Sequence, residues 1–279
     1  MKFWKMNGAG NDFILIDNRM EKLPSACFPA LARRLCERRL SLGADGLMVV
    51  EDSESADLKM LFFNSDGSIG EMCGNGARCI CRFAWETGLA GPVQRIETTA
   101  GPVSGTRISE RMYRIRLNDP SLIRTDLILQ AAGRRVPCSY VVLGDPGIPH
   151  AVVPFEDLAA YPEDSLRELA RALRFHEAFP KGANVNFVEL TGPDEVFLKT
   201  YERGVEDFTY ACGTGTGSSA AVLTLLGQIS GQNVRFTMRG GDLYMDAVRE
   251  GDTVRDLYLT GPTNIVARGE ITDDELKRF

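Results

Sequence analysis

Two short cysteine-glycine segments carry the residue types best suited to chemistry in this sequence. Cys73-Gly74-Asn75-Gly76 and Cys212-Gly213-Thr214-Gly215 each follow an extended apolar run and precede a predicted helix. A helix start presents unpaired backbone N–H groups and a partial positive charge, which favour a thiolate and can bind an anion. The glycines let a ligand approach the backbone closely. Each helix is predicted to end at a glycine, Gly88 or Gly227.

Two such cysteines indicate opposed acid–base chemistry at one shared site. One thiolate would remove a proton from a carbon atom while the opposite thiol delivers one, which is what inversion of a stereocentre requires. The helix-start donors would hold a substrate carboxylate and stabilise negative charge as it develops. We therefore predict that Cys73 and Cys212 are catalytic and face each other across a cleft.

Other interpretations of these cysteines remain open from the residues alone. Both could be buried and inert, as we expect of the remaining cysteines. A zinc site using Cys73, Cys79 and Cys81 would need helical positions that point in different directions. A Cys–His hydrolase using His150 would leave the second segment unexplained. The glycine run of residues 213–217 matches only part of a dinucleotide-binding loop, and both helix starts could form a non-catalytic anion-binding module.

Composition and charge narrow the class of protein. The chain has 279 residues, of which 44% are hydrophobic and 25% charged, and its formal net charge is −6. This balance is typical of a globular protein, and no basic stripe favours a nucleic-acid partner. The first residues lack a secretory pattern and no apolar stretch is long enough to span a membrane. We therefore expect a cytoplasmic protein whose seven cysteines are thiols.

The predicted elements alternate between strands and helices. Ser25 is expected to cap a helix that runs to about Arg39. Apolar residues at Ala77, Ile80 and Ala84 predict a one-sided apolar stripe on the helix after Cys73. The helix after Cys212 is apolar nearly all round, which predicts a buried axis.

The two halves of the chain align at one offset, so we interpret them as a duplicated α/β unit. Chance agreement among common glycine turns is the alternative, since periodicity alone is weak support. The aligned pairs are Gly8 with Gly147, Asn11 with His150, Asn64 with Arg203, and Cys73 with Cys212.

Five motifs in this order resemble diaminopimelate epimerases, over residues 2 to about 270. They are residues 5–13, 63–67, 73–79, 201–204 and 211–215. The resemblance implies interconversion of LL- and meso-diaminopimelate without pyridoxal phosphate, metal or any other cofactor, on the route to lysine and peptidoglycan precursors. It also implies an α/β fold of two similar domains related by a pseudo-twofold duplication, each a mixed sheet wrapped around a central helix.

The resemblance assigns roles to individual residues. It implies that Cys73 and Cys212 are the acid–base thiols, with His150 and Glu202 near them and adjusting their pKa values. The implied substrate-binding residues are Asn11, Asn64, Gly74, Asn75, Asn184, Glu202, Arg203, Gly213 and Thr214. The expected partner is a small amino-acid substrate, with neither nucleic acid nor membrane, and a homodimer is left open.

The implied halves are residues 1–118 and 119–262, with the tail 263–279 returning to the first half. Three positions depart from the family pattern: Ile148 replaces a frequent Asn, Asn7 a frequent His, and Gly46 a Gln that some members use. A racemase or isomerase of another amino acid on the same scaffold is therefore the alternative function.

Overall fold

The structure is a computed structural model, and it describes residues 1–70, 73–273 and 276. Contacts divide the chain into two compact units. Unit 1 comprises Met1–Ile115 and Gly261–Phe279, and unit 2 comprises Arg116–Thr260.

The sequence-based boundaries after residues 118 and 262 stay a prediction, because compactness does not show that a half folds alone. In the predicted tail, residues 274, 275 and 277–279 lie outside the described residues, as do Glu71 and Met72 before the first cysteine.

The first part of the chain alternates strands and helices as expected. Its elements are β1 Lys2–Gly8, β2 Asn11–Asp17, α1 Asn18–Glu21, a 3-10 turn Ser25–Cys27, α2 Phe28–Cys36, β3 Gly46–Glu51, β4 Leu58–Asn64, β5 Ile69–Gly70, α3 Gly74–Glu86, β6 Val93–Thr98, β7 Gly101–Arg107 and β8 Met112–Arg116.

The second part repeats this alternation and ends on a strand. Its elements are β9 Pro120–Ala131, β10 Arg134–Gly144, β11 Gly147–Pro154, α4 Glu163–Arg174, β12 Asn184–Gly192, β13 Glu195–Glu202, β14 Asp207–Phe208, α5 Gly213–Leu225, β15 Val234–Met238, β16 Gly241–Glu250, β17 Thr253–Pro262 and β18 Asn264–Glu270. None of the helices in the described ranges has the length and apolar character needed to cross a membrane.

The two units share one strand plan. In unit 1 the order is β18-β1-β2-β3-β4-β6-β7-β8, in which β2–β3 and β4–β6 are parallel and the other neighbours antiparallel. In unit 2 the order is β9-β10-β11-β12-β13-β15-β16-β17, with β11–β12 and β13–β15 parallel. The repeated order confirms the predicted mixed α/β class and its duplicated pattern.

Each sheet packs around one helix. In α3 every residue from Gly74 to Ala84 is buried, and the helix contacts β1, β2 and β7. The predicted apolar stripe of Ala77, Ile80 and Ala84 is buried, and the polar residues Arg78 and Arg82 of the same helix are buried as well. In α5 the apolar sequence and burial agree, and the helix contacts β9 to β12 and β16.

The two central helices end in the same way. Gly88 and Gly227 both have φ of 70°, a conformation that glycine adopts without steric cost. In each case the next residue donates its N–H back to a carbonyl of the last turn, Leu89 to Ala84 at 2.8 Å and residue 228 to residue 223 at 2.9 Å. This is the hydrogen-bond pattern of a glycine C-cap, and it confirms the predicted helix ends.

Helix α2 is shorter than predicted. Ser25 begins a 3-10 turn rather than a helix, and Cys27 is the N-cap of α2. Pro29 occupies the first turn, where its missing N–H leaves no hydrogen bond unmade. The helix ends at Cys36 because Glu37 is extended and Arg39 has a φ of 77°.

Candidate functional site

The two predicted catalytic cysteines occupy equivalent backbone positions. Cys73 is the N-cap of α3, with φ −121° and ψ 115°, and Cys212 is the N-cap of α5, with φ −119° and ψ 109°. The carbonyl of each cysteine accepts the first helical hydrogen bond, from Ala77 at 2.8 Å and from Thr216 at 2.9 Å. The N–H groups of residues 74 and 75, and of residues 213 and 214, therefore precede the regular helical bonding and are available to an anion.

The Cys212 thiol is buried and held by its own helix start. Its side chain is 6% exposed, and Sγ accepts the N–H of Gly215 at 3.3 Å, with Thr214 Oγ1 at 3.5 Å. Burial, and then the carboxylate of Glu202, raise the pKa of Cys212 well above its usual value, against the opposing effect of the Thr214 and Gly215 hydrogen bonds. Cys212 is therefore protonated at neutral pH.

Glu202 lies at the end of β13 and is placed to act on Cys212. Its Oε1 accepts the hydroxyl of Thr209 at 2.5 Å, and its charge opposes ionisation of the thiol. Glu202 and Cys212, which are ten residues apart in sequence, are thus electrostatically coupled in unit 2.

Unit 2 also brings His150, Asn184 and Arg203 together. His150 on β11 is the parallel-strand partner of Asn184 at the start of β12. The Oδ1 of Asn184 accepts the backbone N–H of Arg203 at 2.8 Å, and its Nδ2 donates to the carbonyl of Pro149 at 3.4 Å. Burial, and then the charge of Arg203, lower the pKa of His150 to about 3.

In unit 1 a directed chain of hydrogen bonds leads from the start of α3 to the β1–β2 loop. Arg78 Nη2 donates to Asn75 Oδ1 at 2.7 Å, and Asn75 Nδ2 donates to Asn11 Oδ1 at 2.6 Å. Asn11 Nδ2 then donates to Asp45 Oδ2 at 3.0 Å. Because a guanidinium can only donate, the orientation of both amides follows from Arg78.

Arg78 is fully buried, and it adds a charge next to Cys73. Burial lowers its pKa to about 10, while the neighbouring Cys79 and Cys73 act to raise it. The guanidinium is therefore still a cation at neutral pH, and it is electrostatically coupled to Cys73. The partly exposed Cys73 and the buried Cys212 thus lie in opposite electrostatic surroundings, a cation near one and a carboxylate near the other.

Asn64 ends β4 near the same loop. Its side-chain Nδ2 donates to Ser68 Oγ at 2.9 Å, and the next residue, Ser65, donates its N–H to the carbonyl of Asp45 at 3.2 Å. Asp45 therefore links the Asn11 and Asn64 loops. The ligand roles of Asn11, Asn64 and Asn75 stay predictions.

Two of the departures from the family pattern have structural counterparts. A Cβ at Gly46 would lie 2.4 Å from the Phe62 ring and 2.7 Å from the carbonyl of Phe63, so a longer side chain would have to displace the ring. Asn7 Oδ1 accepts Asn264 Nδ2 at 2.8 Å, which ties β1 to β18. Ile148 is partly buried on β11.

Sequence reasoning missed four polar residues that hold this site: Asp45, Arg78, Asn186 and Thr200. Arg78 lies within the motif of residues 73–79 but was given no role, and Asp45 lies outside all five motifs. Asn186 and Thr200 lie inside apolar strands, where a polar side chain on the buried side is itself a signal that it has an internal partner. In the part of the chain that the structure describes, no three His, Cys, Asp or Glu side chains are grouped as a metal site.

Comparison with known proteins gives the family. A sequence model of diaminopimelate epimerase matches residues 3–111 and 143–266. The diaminopimelate epimerase of Aquifex aeolicus is 38% identical over 287 residues, covering 99% of this chain and 100% of the relative. That of Chlorobaculum tepidum is 39% identical over 269 residues, covering 96% of this chain and 100% of the relative.

Solved structures with little sequence identity share the fold. A PhzF-family phenazine biosynthesis protein from Bacillus anthracis has a TM-score of 0.73 at 15% identity, covering 98% of this chain and 99% of that one. A hydroxyproline epimerase from Agrobacterium vitis has a TM-score of 0.70 at 17% identity, covering 99% and 94%. On the sequence matches, the chain belongs to the diaminopimelate epimerase family, a family of isomerases.

Proposed function

We propose that this protein interconverts LL- and meso-diaminopimelate by moving a proton at the α-carbon with two cysteines and no cofactor. The observation that carries the proposal is the pair of cysteine N-caps, Cys73 and Cys212, with nearly the same backbone angles at the starts of two buried helices. The curated relatives that match over nearly the whole chain are named for this activity. The lysine pathway follows from that name, and the cytoplasmic location expected from the sequence stays a prediction.

The surroundings of the thiols suggest how the proton moves. Cys73 lies near the buried cation Arg78, and Cys212 lies near the carboxylate of Glu202. We infer that Cys73 is the resting thiolate and base, and that Cys212 is the resting thiol and acid. In one turnover the Cα–H bond breaks toward one sulfur, and the other S–H delivers a proton to the opposite face of the carbon.

The negative charge that develops on the substrate needs stabilisation while the carbon is planar. The N–H groups at the starts of α3 and α5, from Gly74 and Asn75 and from Gly213 and Thr214, are the proposed donors to the α-carboxylate. Donors fixed in a buried helix need no reorientation during the reaction, so they stabilise the transition state more than solvent would.

The ends of the substrate would be bound by charged and amide groups. Arg203 can bind a carboxylate through two parallel hydrogen bonds. Asn11, Asn64, Asn184 and Glu202 offer the donors and acceptors that a zwitterionic amino acid requires. The alternative, an isomerase of another amino acid, draws on structural neighbours such as the hydroxyproline epimerase, whose 17% identity supports the fold alone.

Isotope exchange in heavy water tests this function. With no added cofactor, the wild-type protein should convert LL-diaminopimelate to the meso form and incorporate deuterium at the α-carbon. In Cys73→Ala and in Cys212→Ala the epimerisation rate should fall by at least about a hundredfold, since one proton-transfer group is removed and such groups contribute about 10²–10⁴-fold.

Cys27→Ala is the matched control, because Cys27 is a partly buried thiol in the 3-10 turn before α2 and is not followed by Gly-x-Gly. It should keep wild-type activity. Full epimerase activity in either helix-start variant, with an unchanged thermal midpoint, would overturn the two-cysteine mechanism.

A further inference from the structure

A buried polar cluster lies behind the start of α5. His150 on β11 and Asn186 on β12 are 0% exposed, and Thr200 on β13 is 3% exposed. Asn186 pairs with Thr200 where β12 and β13 run antiparallel. On its other side β12 pairs with β11, the parallel strand that carries His150. The three side chains therefore form one row across three neighbouring strands of unit 2.

The hydrogen bonds of Asn186 fix its orientation. One side-chain atom lies 3.0 Å from the carbonyl oxygen of Ala151, which can only accept, so that atom is Nδ2. The other atom is then Oδ1, and it accepts the hydroxyl of Thr200 at 3.0 Å. The reversed amide would bring two oxygens together at Ala151, which is unfavourable in a buried site.

This orientation determines where the proton of His150 lies. The second hydrogen of Asn186 Nδ2 is directed to His150 Nδ1 at 3.1 Å, so Nδ1 must accept and carries no proton. The neutral ring consequently carries its proton on Nε2. Burial and the charge of Arg203 lower the pKa of His150 to about 3. The Asn186 amide also disfavours the cationic ring, because that ring would point an Nδ1–H at the amide N–H.

The resulting Nε2–H is a buried donor that lacks an acceptor among the described residues. A buried donor without a partner is costly and rare in folded proteins, so this N–H points to an acceptor that a ligand supplies. The ring is paired in the sheet with Asn184, which in turn binds the backbone of Arg203. The neighbouring groups therefore suit an anionic oxygen.

The cluster also packs against the first turn of α5. A Cβ on Gly215 would lie 2.3 Å from Asn186 Oδ1 and 3.1 Å from Thr200 Oγ1. The N–H of the same glycine donates to Cys212 Sγ. The amide that orients His150 is thus in direct contact with the turn that holds the thiol.

We propose that Asn186, held by Thr200, is a positioning residue that keeps His150 neutral with its proton on Nε2, so that His150 donates a hydrogen bond to a carboxylate oxygen of the substrate and does not itself transfer a proton. The identity of the ligand rests on the proposed function. The position of the proton does not, because it follows from contacts within unit 2 alone.

The two histidines of the chain, His150 and His176, make this directly measurable. Long-range ¹H–¹⁵N correlation spectra of the ¹⁵N-labelled full-length protein distinguish a protonated ring nitrogen from a bare one. His176→Gln assigns the signals by removing one set. The expected result is a bare Nδ1 and a protonated Nε2 for His150 throughout pH 5.5–9, measured without substrate. A protonated Nδ1, or a charged His150 ring in that range, would overturn the proposal.

Asn186→Asp gives the matched variant. A carboxylate of the same shape accepts instead of donating, so it should draw a proton onto Nδ1 and make His150 titrate within the measured range. The pH profile of kcat/KM should then gain an ionisation that the wild-type profile lacks. An unchanged His150 spectrum in folded Asn186→Asp protein would overturn the proposal.

His150→Gln tests the donor role, because its amide N–H can replace Nε2–H but cannot relay a proton as imidazole does. The kcat of His150→Gln should be at least about a tenth of the wild-type kcat and at least about tenfold higher than the kcat of His150→Leu. An equal loss of kcat in both variants would contradict the donor role. If deuterium exchange fails while the His150 spectrum is as expected, the proposed function and the assigned ligand are wrong, and the proton position set by Asn186 stands.

Discussion

Glu202 should control the reactivity of Cys212, and removing its charge without changing its shape tests this. Glu202→Gln keeps an oxygen that can accept the Thr209 hydroxyl at 2.5 Å but loses the negative charge. A carboxylate next to a thiol opposes formation of the thiolate, so its removal should lower the pKa of Cys212 and increase the thiolate fraction at a fixed pH.

The size of the effect follows from the proximity of the two groups. Two unit charges about 4 Å apart interact by about 1 kcal/mol in bulk water and by about 4 kcal/mol at the effective dielectric constant of a protein site. The lower figure alone corresponds to about a fivefold change in an equilibrium constant, with RT near 0.6 kcal/mol. Because the thiolate is the reactive form, the alkylation rate of Cys212 at pH 8 should rise at least about fivefold.

The assay is timed alkylation with iodoacetamide, with each cysteine followed by mass spectrometry of its peptide. Cys138, which is buried in unit 2, reports loosening of the fold, since it should stay unmodified in every variant. Glu195→Gln is the control. Glu195 begins the same strand as Glu202 and lies about 23 Å from it at ~3.3 Å per residue, which is well beyond the ~10 Å screening length. Glu195 also pairs with Arg235 at 2.6 Å.

Equal rates for wild type and Glu202→Gln across pH 6–9, with Cys138 protected, would refute the coupling of Glu202 to Cys212. The same increase in Glu195→Gln would show that a general change in charge, and not this contact, sets the reactivity of the thiol.

Two further predictions concern stability. Gly215→Ala should lower the free energy of unfolding in urea by about 2 kcal/mol, because a Cβ 2.3 Å from a buried amide oxygen overpacks the site by about 3 kcal/mol while the better helix propensity of alanine returns about 1 kcal/mol. Gly91→Ala is the control, since a Cβ there would have nothing within 4 Å, and it should change stability by less than about 0.5 kcal/mol. Equal effects of the two substitutions would contradict the steric reasoning. Burial alone would raise the pKa of Asp12, but hydrogen bonds from Lys5 and Arg38 hold it below its usual value. The Asp12 carboxylate therefore stabilises the fold above its unfolded-state pKa near 3.9, and this contribution is lost as the pH falls through its lower folded-state pKa. Asp12→Asn should lower the urea midpoint at pH 7 and have little effect near pH 2. An equal shift at both pH values would argue against the ionic contribution.

Local features of the two cysteine-glycine segments were predictable because they depend on neighbours in sequence. A cysteine followed by Gly-x-Gly between a strand and a helix indicates a helix start, and Gly88 and Gly227 mark the helix ends through their backbone freedom alone. The alternation of strands and helices, repeated at one offset, indicated the duplicated α/β fold in the same way. The error at Ser25 was also local, since Cys27 and Pro29 offered a competing helix start.

Features that depend on distant partners were decided by the tertiary structure. Nothing in the sequence near Arg78 shows that the polar side of α3 is buried, or that its guanidinium orients Asn75 and Asn11, which are 64 residues apart. Asn186 meets His150 only because β11 and β12 run parallel in one register. The sequence by itself determined which residues could do chemistry and where their helices begin and end. Strand register and burial, which join residues far apart in the chain, decided which groups are charged and which way each side chain donates.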